Sequence, residues 1–326
     1  MATLPSLRQL QYLVKLAELR NFTRAAAACH VTQSTLSSGL KELESSLGAR
    51  LVERDRQGVL LTPAGQEVVE RARGLLAGAS DLAQAASSAG SPMRGILRLG
   101  AIPTIAPFVL PQLLQRQRTQ YPELRLALRE DRTESLLERL EDGRLDFALL
   151  ALPYDTGNLL VREICQDELL LVAPAGSVAS PWGMVVSPRG NVALNARTAE
   201  HLLLLEEGHC LRQHTLQACR SKRSGGRTEG LEATSLLTLV HMAESGLGLA
   251  LVPELAVRRG LLASTGLTAH RVGPPAPTRG IALVARSSTA RETEFTALAT
   301  LIAQVCDDPP AAKTPPARRR SRPRPR

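Results

Sequence analysis

The stretch that decides the fold is residues 21–44, NFTRAAAACHVTQSTLSSGLKELE. Its first half is rich in alanine and predicts a short helix, which ends at a break over residues 29–31. Thr32 then suits an N-cap, because its hydroxyl can accept a hydrogen bond from the first turn of a following helix. In that helix, leucines at 36, 40, 43 and 47 recur every three or four residues and leave the opposite face small and polar. Two short helices joined by a tight turn predict a helix-turn-helix.

The segments on either side of this motif complete a small domain. Residues 5–20 carry apolar side chains at helical spacing and predict a preceding helix. Residues 50–62, RLVERDRQGVLLT, predict two strands around a polar turn, with Arg54 and Arg56 at its tip. Such a pair of strands is the wing of a winged helix-turn-helix, which we expect to occupy residues 1–62.

A long helix is predicted to follow this domain. Pro63 fits the first turn of a helix, and residues 63–89 are rich in alanine, leucine, glutamate and arginine. The sequence GSP at 90–92 ends the pattern. This helix has more apolar surface than an exposed linker needs, so we expect residues 63–93 to pair with a second copy of the chain.

Residues 94–306 alternate between strand and helix patterns. The alternation predicts an α/β domain with mainly parallel sheets, and the length suits two subdomains between which the chain crosses. The expected strands are 96–101, 124–129 and 145–152, the expected helices are 107–121 and 134–142, and later elements are expected at 169–173, 202–205, 235–245, 249–252 and 281–285.

The net charge of +9 is distributed unevenly along the 326 residues. Residues 313–326 carry +7 and residues 1–62 carry +3, which leaves −1 for the rest. The tail, residues 307–326, is rich in proline, alanine and arginine and predicts disorder. The high isoelectric point is therefore mostly a property of the tail, and by itself it does not show that the folded body binds nucleic acid.

The compartment follows from what the sequence lacks. No apolar run approaches the roughly 20 residues of a membrane helix, and the N-terminus does not combine a basic start with an apolar core as secretory signals do. We therefore expect a cytoplasmic protein without membrane contact, in which the five cysteines are thiols rather than a disulfide framework.

Several segments together resemble the LysR-type transcription regulators. The DNA-binding domain of that family is matched by FTRAA at 22–26, VTQSTLS at 31–37, LKELE at 40–44, LG at 47–48, LVER at 51–54 and LTPAG at 61–65. Later segments resemble its peroxide-sensing OxyR branch: GAIPT at 100–104, EDRT at 130–133, EEGHCLR at 206–212 with Cys219, ATS at 233–235, GLG at 246–248 and Pro253. The resemblance covers roughly residues 4–300.

The resemblance implies a winged helix-turn-helix, a dimerising linker helix and a regulatory domain similar to periplasmic binding proteins. Members of the family assemble as dimers of dimers on promoter DNA and recruit RNA polymerase, so the implied state is a homotetramer. The OxyR branch implies an activator of oxidative-stress genes that hydrogen peroxide oxidises and cellular thiol reductants reset. It implies neither an enzyme nor a cofactor.

The helix-turn-helix offers two kinds of contact to DNA. Gln33, Thr35 and Ser37 are short polar side chains near the start of the second helix, where they can reach base edges in the major groove. Phosphate contacts, which position a protein without specifying sequence, suit basic side chains. The alternative is a merely solvated polar helix face, which the wing and the family resemblance together disfavour. The residues assigned to phosphates are Arg8, Lys41, Arg54 and Arg56.

Cys210 and Cys219 are the cysteines to which the resemblance assigns redox chemistry. Their nine-residue spacing matches no zinc motif, and no further histidine or cysteine cluster supports a metal site. His209 and Arg212 are cationic neighbours that favour a thiolate, the form that attacks peroxide. The resulting sulfenic acid condenses with a second thiol to a disulfide. If both cysteines stood on one helix they would lie about 13 Å apart, so closure of a disulfide would force the helix to unwind.

By resemblance, a peroxide pocket surrounds Cys210. It implies hydroxyls from Thr104 and Thr133, with His209, Arg212 and Arg279 completing the shell. The alternative is that both cysteines are buried small hydrophobic residues, as we expect for Cys29, Cys165 and Cys306.

The sequence departs from the OxyR pattern at three places. Gln213 stands where the branch commonly has an aspartate, which puts the speed of the Cys210 reaction in question. Residues 176–195 form a longer segment, rich in glycine, proline and serine, that we interpret as a surface insertion. The arginine-rich tail is the third, and it either strengthens nonspecific DNA binding or is simply solvated.

Two other functions fit parts of the sequence. A LysR-type regulator could instead bind a small organic anion between its subdomains, with Thr104 as one ligand, although such a sensor has no need of a cysteine pair. A thiol peroxidase would use similar chemistry at Cys210 but would leave the DNA-binding domain unexplained. Turnover with a dithiol reductant would identify the peroxidase.

Overall fold

The computed structural model describes residues 4–55, 58–88, 92–175, 184, 190–219 and 231–309. These residues form two compact units. The first contains the described residues within 4–166, 208–210 and 280–303, and the second contains those within 167–207, 211–279 and 304–309. None of the described helices has a stretch that is long and apolar enough to cross a membrane.

The N-terminal domain is the predicted winged helix-turn-helix. Ser6, Asn21 and Thr32 each cap a helix by accepting a backbone hydrogen bond, so the prediction for Thr32 is confirmed. Leucines of the first and third helices, alanines of the second helix, and Leu51 and Val59 beside and within the wing form one buried core. The elements are α1 (Leu7–Leu19), α2 (Phe22–Ala28), α3 (Gln33–Leu47), β1 (Val52–Asp55) and β2 (Gly58–Leu61).

The predicted linker helix is α4 (Pro63–Ser88). Thr62 fixes its start: the Thr62 hydroxyl donates to the carbonyl of Arg50 at 2.7 Å and accepts from the N–H of Gly65 at 2.9 Å. A Cβ on Gly65 would lie 2.0 Å from the carbonyl oxygen of Leu51, so only glycine fits there. The sequence LTPAG therefore seats α4 directly on the wing.

The regulatory region alternates strands and helices as predicted. Its elements are β3 (Gly95–Ala101), α5 (Ala106–Gln120), β4 (Leu124–Glu130), α6 (Thr133–Glu141), β5 (Phe147–Leu152), β6 (Leu160–Pro174), α7 (Ala196–Glu200), β7 (Leu204–Leu205), α8 (Cys210–Ala218), β8 (Glu232–Ala233), α9 (Leu236–Glu244), β9 (Ala250–Pro253), α10 (Glu254–Arg258), β10 (Leu267–His270), β11 (Thr278–Ala285) and α11 (Glu292–Asp307).

The sheets are mixed, which corrects the expectation of mainly parallel sheets. In the first unit, β3 is parallel to β4 and β5, whereas β11 is antiparallel to β5. In the second unit, β7 is parallel to β8, whereas β6 is antiparallel to both β9 and β10. The chain leaves the first unit within β6 and returns within β11. The alternation of strands and helices in a sequence does not specify the direction of such connecting strands, which is why the prediction was wrong.

Three predictions fall mainly on residues outside the described part of the chain. They concern Arg56 in the wing, most of the segment 176–195, and the tail from residue 310 onward.

Candidate DNA interface and thiol site

The N-terminal half of α3 presents the predicted polar face. Gln33 and Thr35 are exposed and Ser37 is half-buried, whereas Leu36 and Leu40 are buried in the domain core. The sequence therefore separates the helix into an apolar face that holds the domain together and a polar face that faces away from its core. This is the arrangement that a helix needs to enter a DNA groove.

Two hydrogen bonds orient the polar side chains of this helix. The hydroxyl of Thr23 donates to Oε1 of Gln33 at 3.1 Å. The amide nitrogen remains a donor and Oε1 keeps a second acceptor position, so Gln33 retains what a bidentate pair with adenine requires. The hydroxyls of Thr32 and Thr35 share a hydrogen bond of 2.8 Å.

Basic side chains flank this helix. Arg8 and Lys41 are exposed, as a phosphate-contacting role requires. A groove of about 250 Å³ lies between α3 and the wing, and its lining includes Ser37, Lys41 and Arg50. Arg50 was not predicted, because only the folded wing brings it beside Lys41. Arg54 lies in β1 opposite Val59.

Glu44 is a second residue of this domain that the sequence prediction missed. Its Oε1 accepts hydrogen bonds from the backbone N–H groups of Leu51 at 2.8 Å and Val52 at 3.1 Å. The last turns of α3 therefore hold the first strand of the wing through a single carboxylate. The spacing of seven and eight residues across a loop gives no periodic signal from which this contact could be predicted.

Cys210 is buried and its sulfur contacts Thr133. Cys210 is the first residue of α8 and is 6% exposed. Thr133 is the first residue of α6 and is 1% exposed. The sulfur and the Thr133 hydroxyl share a hydrogen bond of 2.7 Å in which either group can donate. Once the thiol is deprotonated only the hydroxyl can donate, and the positive end of a helix dipole also favours the thiolate.

The parallel strands place further polar side chains at the same edge of the first unit. Ala101 of β3 pairs with Glu130 of β4, and Thr104 and Thr133 each follow three residues after those positions. Carboxyl ends of parallel strands meet at one edge of a sheet, the usual place for a ligand site. Thr104 is 3% exposed, and His209 is 8% exposed in the same unit.

Tyr154 is a site residue that the sequence prediction missed. It follows the carboxyl end of β5, the other parallel neighbour of β3. Burial raises the pKa of Tyr154 above its ordinary value, and the charge of Cys210 in its thiolate form raises that pKa further. The phenol thus lies within electrostatic range of the sulfur and stays protonated, a hydrogen-bond donor at neutral pH.

The loop before α6 is tightly hydrogen-bonded. Burial alone raises the pKa of Asp131, but hydrogen bonds from the Arg129 guanidinium, the Ser135 hydroxyl and the N–H of Arg132 outweigh it and hold that pKa below its ordinary value. The Arg132 side chain lies over Gly208, where a Cβ would come within 3.0 Å of it and φ is +89°. The sequences EDRT and EEGHC therefore fit together, and a glycine two residues before Cys210 is required.

Cys219 follows the last residue of α8. The spacing of nine residues along this helix corresponds to about 13 Å. Cys219 is half-buried and borders a cavity of about 310 Å³ in the second unit. All five cysteines are thiols.

The two predicted arginines of the pocket form salt bridges within the second unit. Arg212 donates to the carbonyl of Leu205 at 2.8 Å and to the carboxylate of Glu232 at 2.6 Å, which ties α8 to β7 and β8. Arg279 is fully buried and donates to Oδ2 of Asp167 at 2.9 and 3.1 Å. Their assignment to a peroxide pocket stays a prediction.

The other three cysteines, Cys29, Cys165 and Cys306, are distant in sequence from Cys210 and Cys219. Cys29 packs against the helix-turn-helix core, and burial raises the pKa of its thiol. Cys306 is buried in α11 and Cys165 is half-buried in β6. Within the described ranges, no group of three or more histidine, cysteine, aspartate or glutamate side chains could hold a metal ion.

Comparisons with known proteins agree with this architecture. Residues 7–66 match the family model for the bacterial regulatory helix-turn-helix protein, lysR family, and residues 90–307 match the LysR substrate binding domain. The chain is 44% identical to the HTH-type transcriptional regulator EstR of Acinetobacter baylyi, over 94% of this chain and 98% of the relative. It is 36% identical to the DNA-binding transcriptional dual regulator OxyR of Escherichia coli, over 91% and 94% of the two chains.

Solved structures give the same result. A full-length OxyR variant from Pseudomonas aeruginosa superposes with a TM-score of 0.73 at 32% identity, and the match covers 92% of this chain and 98% of that one. An OxyR mutant from Corynebacterium glutamicum bound to H2O2 superposes with a TM-score of 0.59 at 32% identity, over 93% and 94% of the chains.

Proposed function

This chain belongs to the LysR family of DNA-binding transcription regulators, and on that premise we propose that hydrogen peroxide switches its activity by oxidising Cys210 to a disulfide with Cys219. Cys210 is the thiol that attacks peroxide and Cys219 is the thiol that resolves the product. The switch would act on expression of oxidative-stress genes, mainly as an activator.

The proposed chemistry balances without a cofactor. The Cys210 thiolate attacks one oxygen of hydrogen peroxide, the O–O bond breaks, and the departing hydroxide takes up the thiol proton to leave as water. Sulfur gives up two electrons as it becomes a sulfenic acid, and each of the two peroxide oxygens takes up one. The Cys219 thiol then attacks the sulfenic sulfur and releases a second water, which leaves the disulfide. Cellular thiol reductants reverse the change by thiol–disulfide exchange.

One observation carries the proposal: the Cys210 sulfur lies 2.7 Å from the Thr133 hydroxyl at the start of two helices. Helix N-termini and hydroxyl donors stabilise a thiolate. A structural cysteine that only fills space needs neither a hydroxyl partner nor a position at a helix N-terminus. Thr104, His209 and Tyr154 are the other polar groups of the first unit that we assign to peroxide binding.

The geometry of α8 turns this chemistry into a change of shape. A disulfide needs its two Cα atoms within roughly 7 Å, whereas a helix holds residues nine apart at about 13 Å. Closure therefore requires α8 to unwind, and unwinding breaks the hydrogen bonds by which Arg212 anchors the helix to Leu205 and Glu232. In the proposal this rearrangement shifts the dimer contacts and re-spaces the DNA-binding domains.

The partners of the proposed regulator are promoter DNA, further copies of itself and RNA polymerase. Gln33, Thr35 and Ser37 are assigned to base edges. Arg8, Lys41, Arg54 and Arg56 are assigned to phosphates, and we add Arg50, which shares a groove with Lys41. The chain is proposed to act as a dimer of dimers.

A second candidate is a regulator that responds to a small organic effector between its subdomains. The observation that favours it is the 44% identity to the regulator EstR, which is not named as a peroxide-responsive protein. Gln213, which replaces the aspartate of the OxyR pattern, also favours the organic-effector candidate. The two candidates differ in whether the thiols react at low peroxide.

Peptide mass spectrometry of the full-length protein tests the proposal. The reduced protein is exposed briefly to near-stoichiometric hydrogen peroxide, and its cysteines are then mapped. We expect a Cys210–Cys219 disulfide that dithiol reverses and that is absent from Cys210→Ser. If both thiols stay reduced while the protein still binds DNA, the peroxide proposal fails and the organic-effector candidate takes its place.

A further inference from the structure

Helix α6 touches the thiol site at its first residue. Thr133 begins α6 and shares the hydrogen bond with the Cys210 sulfur. Both residues belong to the first unit, as does the whole of α6. Any displacement of the Cys210 sulfur therefore acts directly on the N-terminal end of this helix.

The other end of α6 touches the linker helix α4. Directly after α6, the Oδ1 atom of Asp142 lies 3.6 Å from Nε of Arg73, and the two side chains are 11% and 28% exposed. Gly143 has φ +70°, and a Cβ there would lie 2.8 Å from the Cβ and 3.1 Å from the Cα of Ala77. The turn after α6 is thus packed against α4 so closely that it has no room for a side chain.

The same linker helix also packs against the DNA-binding domain. Val69 and Ala72 of α4 are buried in the core that α1, α3 and the wing form. Arg73 and Ala77 lie next to them along the same helix. One stretch of α4 therefore contacts both the winged helix-turn-helix and the end of α6.

Helix α6 is anchored between its two contacts. Its own side chains Leu136 and Leu140 are fully buried in the first unit. At its C-terminal end, the guanidinium of Arg286 donates to the carbonyls of Leu140 at 2.6 Å and Leu145 at 2.8 Å. The Leu140 carbonyl also accepts from the N–H of Gly143 at 3.0 Å. Arg286 therefore ties the end of α6 and the turn after it to Leu145, just before β5.

From these contacts we propose that α6 transmits the oxidation of Cys210 to the DNA-binding domain through the Asp142–Arg73 ion pair and the Gly143–Ala77 contact. The inference rests on the proposed function, because it names the route by which that switch acts. When the Cys210 sulfur enters a disulfide, the hydrogen bond that holds Thr133 is lost and the N-terminus of α6 is released. The helix then moves as a body, and the displaced turn pulls on α4.

A set of charge-neutral variants of the full-length protein tests the ion pair. Arg73→Gln, Asp142→Asn and the double variant are compared with Arg144→Gln, which removes a different partner of the same Asp142 carboxylate, 2.5 Å away, and leaves Arg73 in place. The probe is an operator selected from random DNA by the wild-type protein. For each variant, the dissociation constant is measured before and after peroxide, and disulfide formation is followed by mass spectrometry on the same samples.

We expect each single variant to form the disulfide at the wild-type rate while the ratio of the two dissociation constants moves toward one, by about 2- to 30-fold. The double variant should add little to either single variant, since the pair acts as one contact. Arg144→Gln should keep the wild-type ratio. If all variants form the disulfide and keep that ratio, α6 is not the route and the proposed function stands without it. If the wild type forms no disulfide, both proposals fall.

A second variant tests the route without changing a charge. Gly143→Ala pushes a methyl group against Ala77, whereas Gly246→Ala has a similar φ of +76° and nothing within 4 Å. We expect Gly143→Ala to change the affinity of the reduced protein for the operator toward that of the oxidised wild type, and Gly246→Ala to leave it unchanged. Thermal unfolding checks that both variants are folded. Equal effects of the two substitutions would overturn the inference, because the strain of a positive φ alone would then explain them.

Discussion

The hydroxyl oxygen of Thr133 lies 2.7 Å from the sulfur of Cys210, and each of these residues is the first of its helix. The relationship joins positions 77 residues apart in sequence. Protonation or oxidation of this one sulfur atom therefore changes the contacts at the first residue of both α6 and α8.

Removal of this hydroxyl should slow the reaction of Cys210 with peroxide. Thr133→Val keeps the shape of the side chain but cannot donate to the thiolate, and hydrogen bonds to charged groups contribute about 1.5–3 kcal/mol. We expect the rate of disulfide formation to fall roughly 10- to 100-fold, measured by stopped-flow oxidation of the reduced protein. Thr133→Ser, which retains a hydroxyl, is the control. Equal rates in the valine variant and the wild type would show that the hydroxyl does not activate the thiol.

Loss of the α8 anchor should have the opposite effect on the same rate. Glu232→Gln removes the charge that Arg212 binds at 2.6 Å, and the unwinding that disulfide closure requires then becomes easier. Partly exposed ion pairs contribute about 0.2–1 kcal/mol, so we expect disulfide formation to be faster by up to about fivefold. Glu244→Gln, on the next helix, is the control. A slower reaction in Glu232→Gln would mean that α8 must stay intact for oxidation.

The two kinds of glycine in α4 predict opposite changes in stability. Gly65→Ala places a Cβ 2.0 Å from the carbonyl oxygen of Leu51, so the wing must separate from α4. Gly78→Ala meets nothing within 4 Å and only improves helix propensity. We expect Gly65→Ala to lose about 2 kcal/mol or more of unfolding free energy and Gly78→Ala to gain up to about 1 kcal/mol. Urea unfolding measures both, and a neutral Gly65→Ala would contradict the packing described here.

The pKa of Asp131 predicts how acid affects the loop before α6. Hydrogen bonds hold this pKa below its ordinary value of 3.8 despite burial. A carboxylate whose pKa is lower in the folded state stabilises the fold above its unfolded pKa, and this contribution disappears as the pH falls through the folded pKa. We therefore expect the wild type to lose unfolding free energy below about pH 4 more steeply than Asp131→Asn. Asp307→Asn, an exposed carboxylate at the end of α11, should behave like the wild type. Equal acid slopes for wild type and Asp131→Asn would count against the hydrogen-bonded loop.

Local patterns in the sequence predicted the DNA-binding domain well. The helical spacing of Leu36, Leu40 and Leu43 and the capping chemistry of Thr32 act over a few residues, so they can be seen without a structure. The linker helix could be predicted as well, because Pro63 and the helix-forming residues after it are also local signals. The strand directions of β6 and β11 could not be predicted in this way, because they depend on how the chain connects two units.

The long-range contacts of the site required the folded chain. Glu44 binds the wing, Arg50 joins Lys41 in a groove, and Tyr154 lies at the sheet edge of Thr104, yet none of these residues belongs to a periodic pattern. The resemblance to known regulators supplied Thr133 as a partner of Cys210, and the structure places the two in contact.

The most direct test of the account is the affinity for the selected operator, measured on one preparation before peroxide, after near-stoichiometric peroxide and after dithiol, for the wild type and for Cys219→Ser. Cys219→Ser can still form a sulfenic acid at Cys210 but cannot close the disulfide. The account predicts a change in affinity that dithiol reverses in the wild type and no such change in Cys219→Ser. An unchanged affinity in wild-type protein whose disulfide has formed, or equal changes in both proteins, would contradict it.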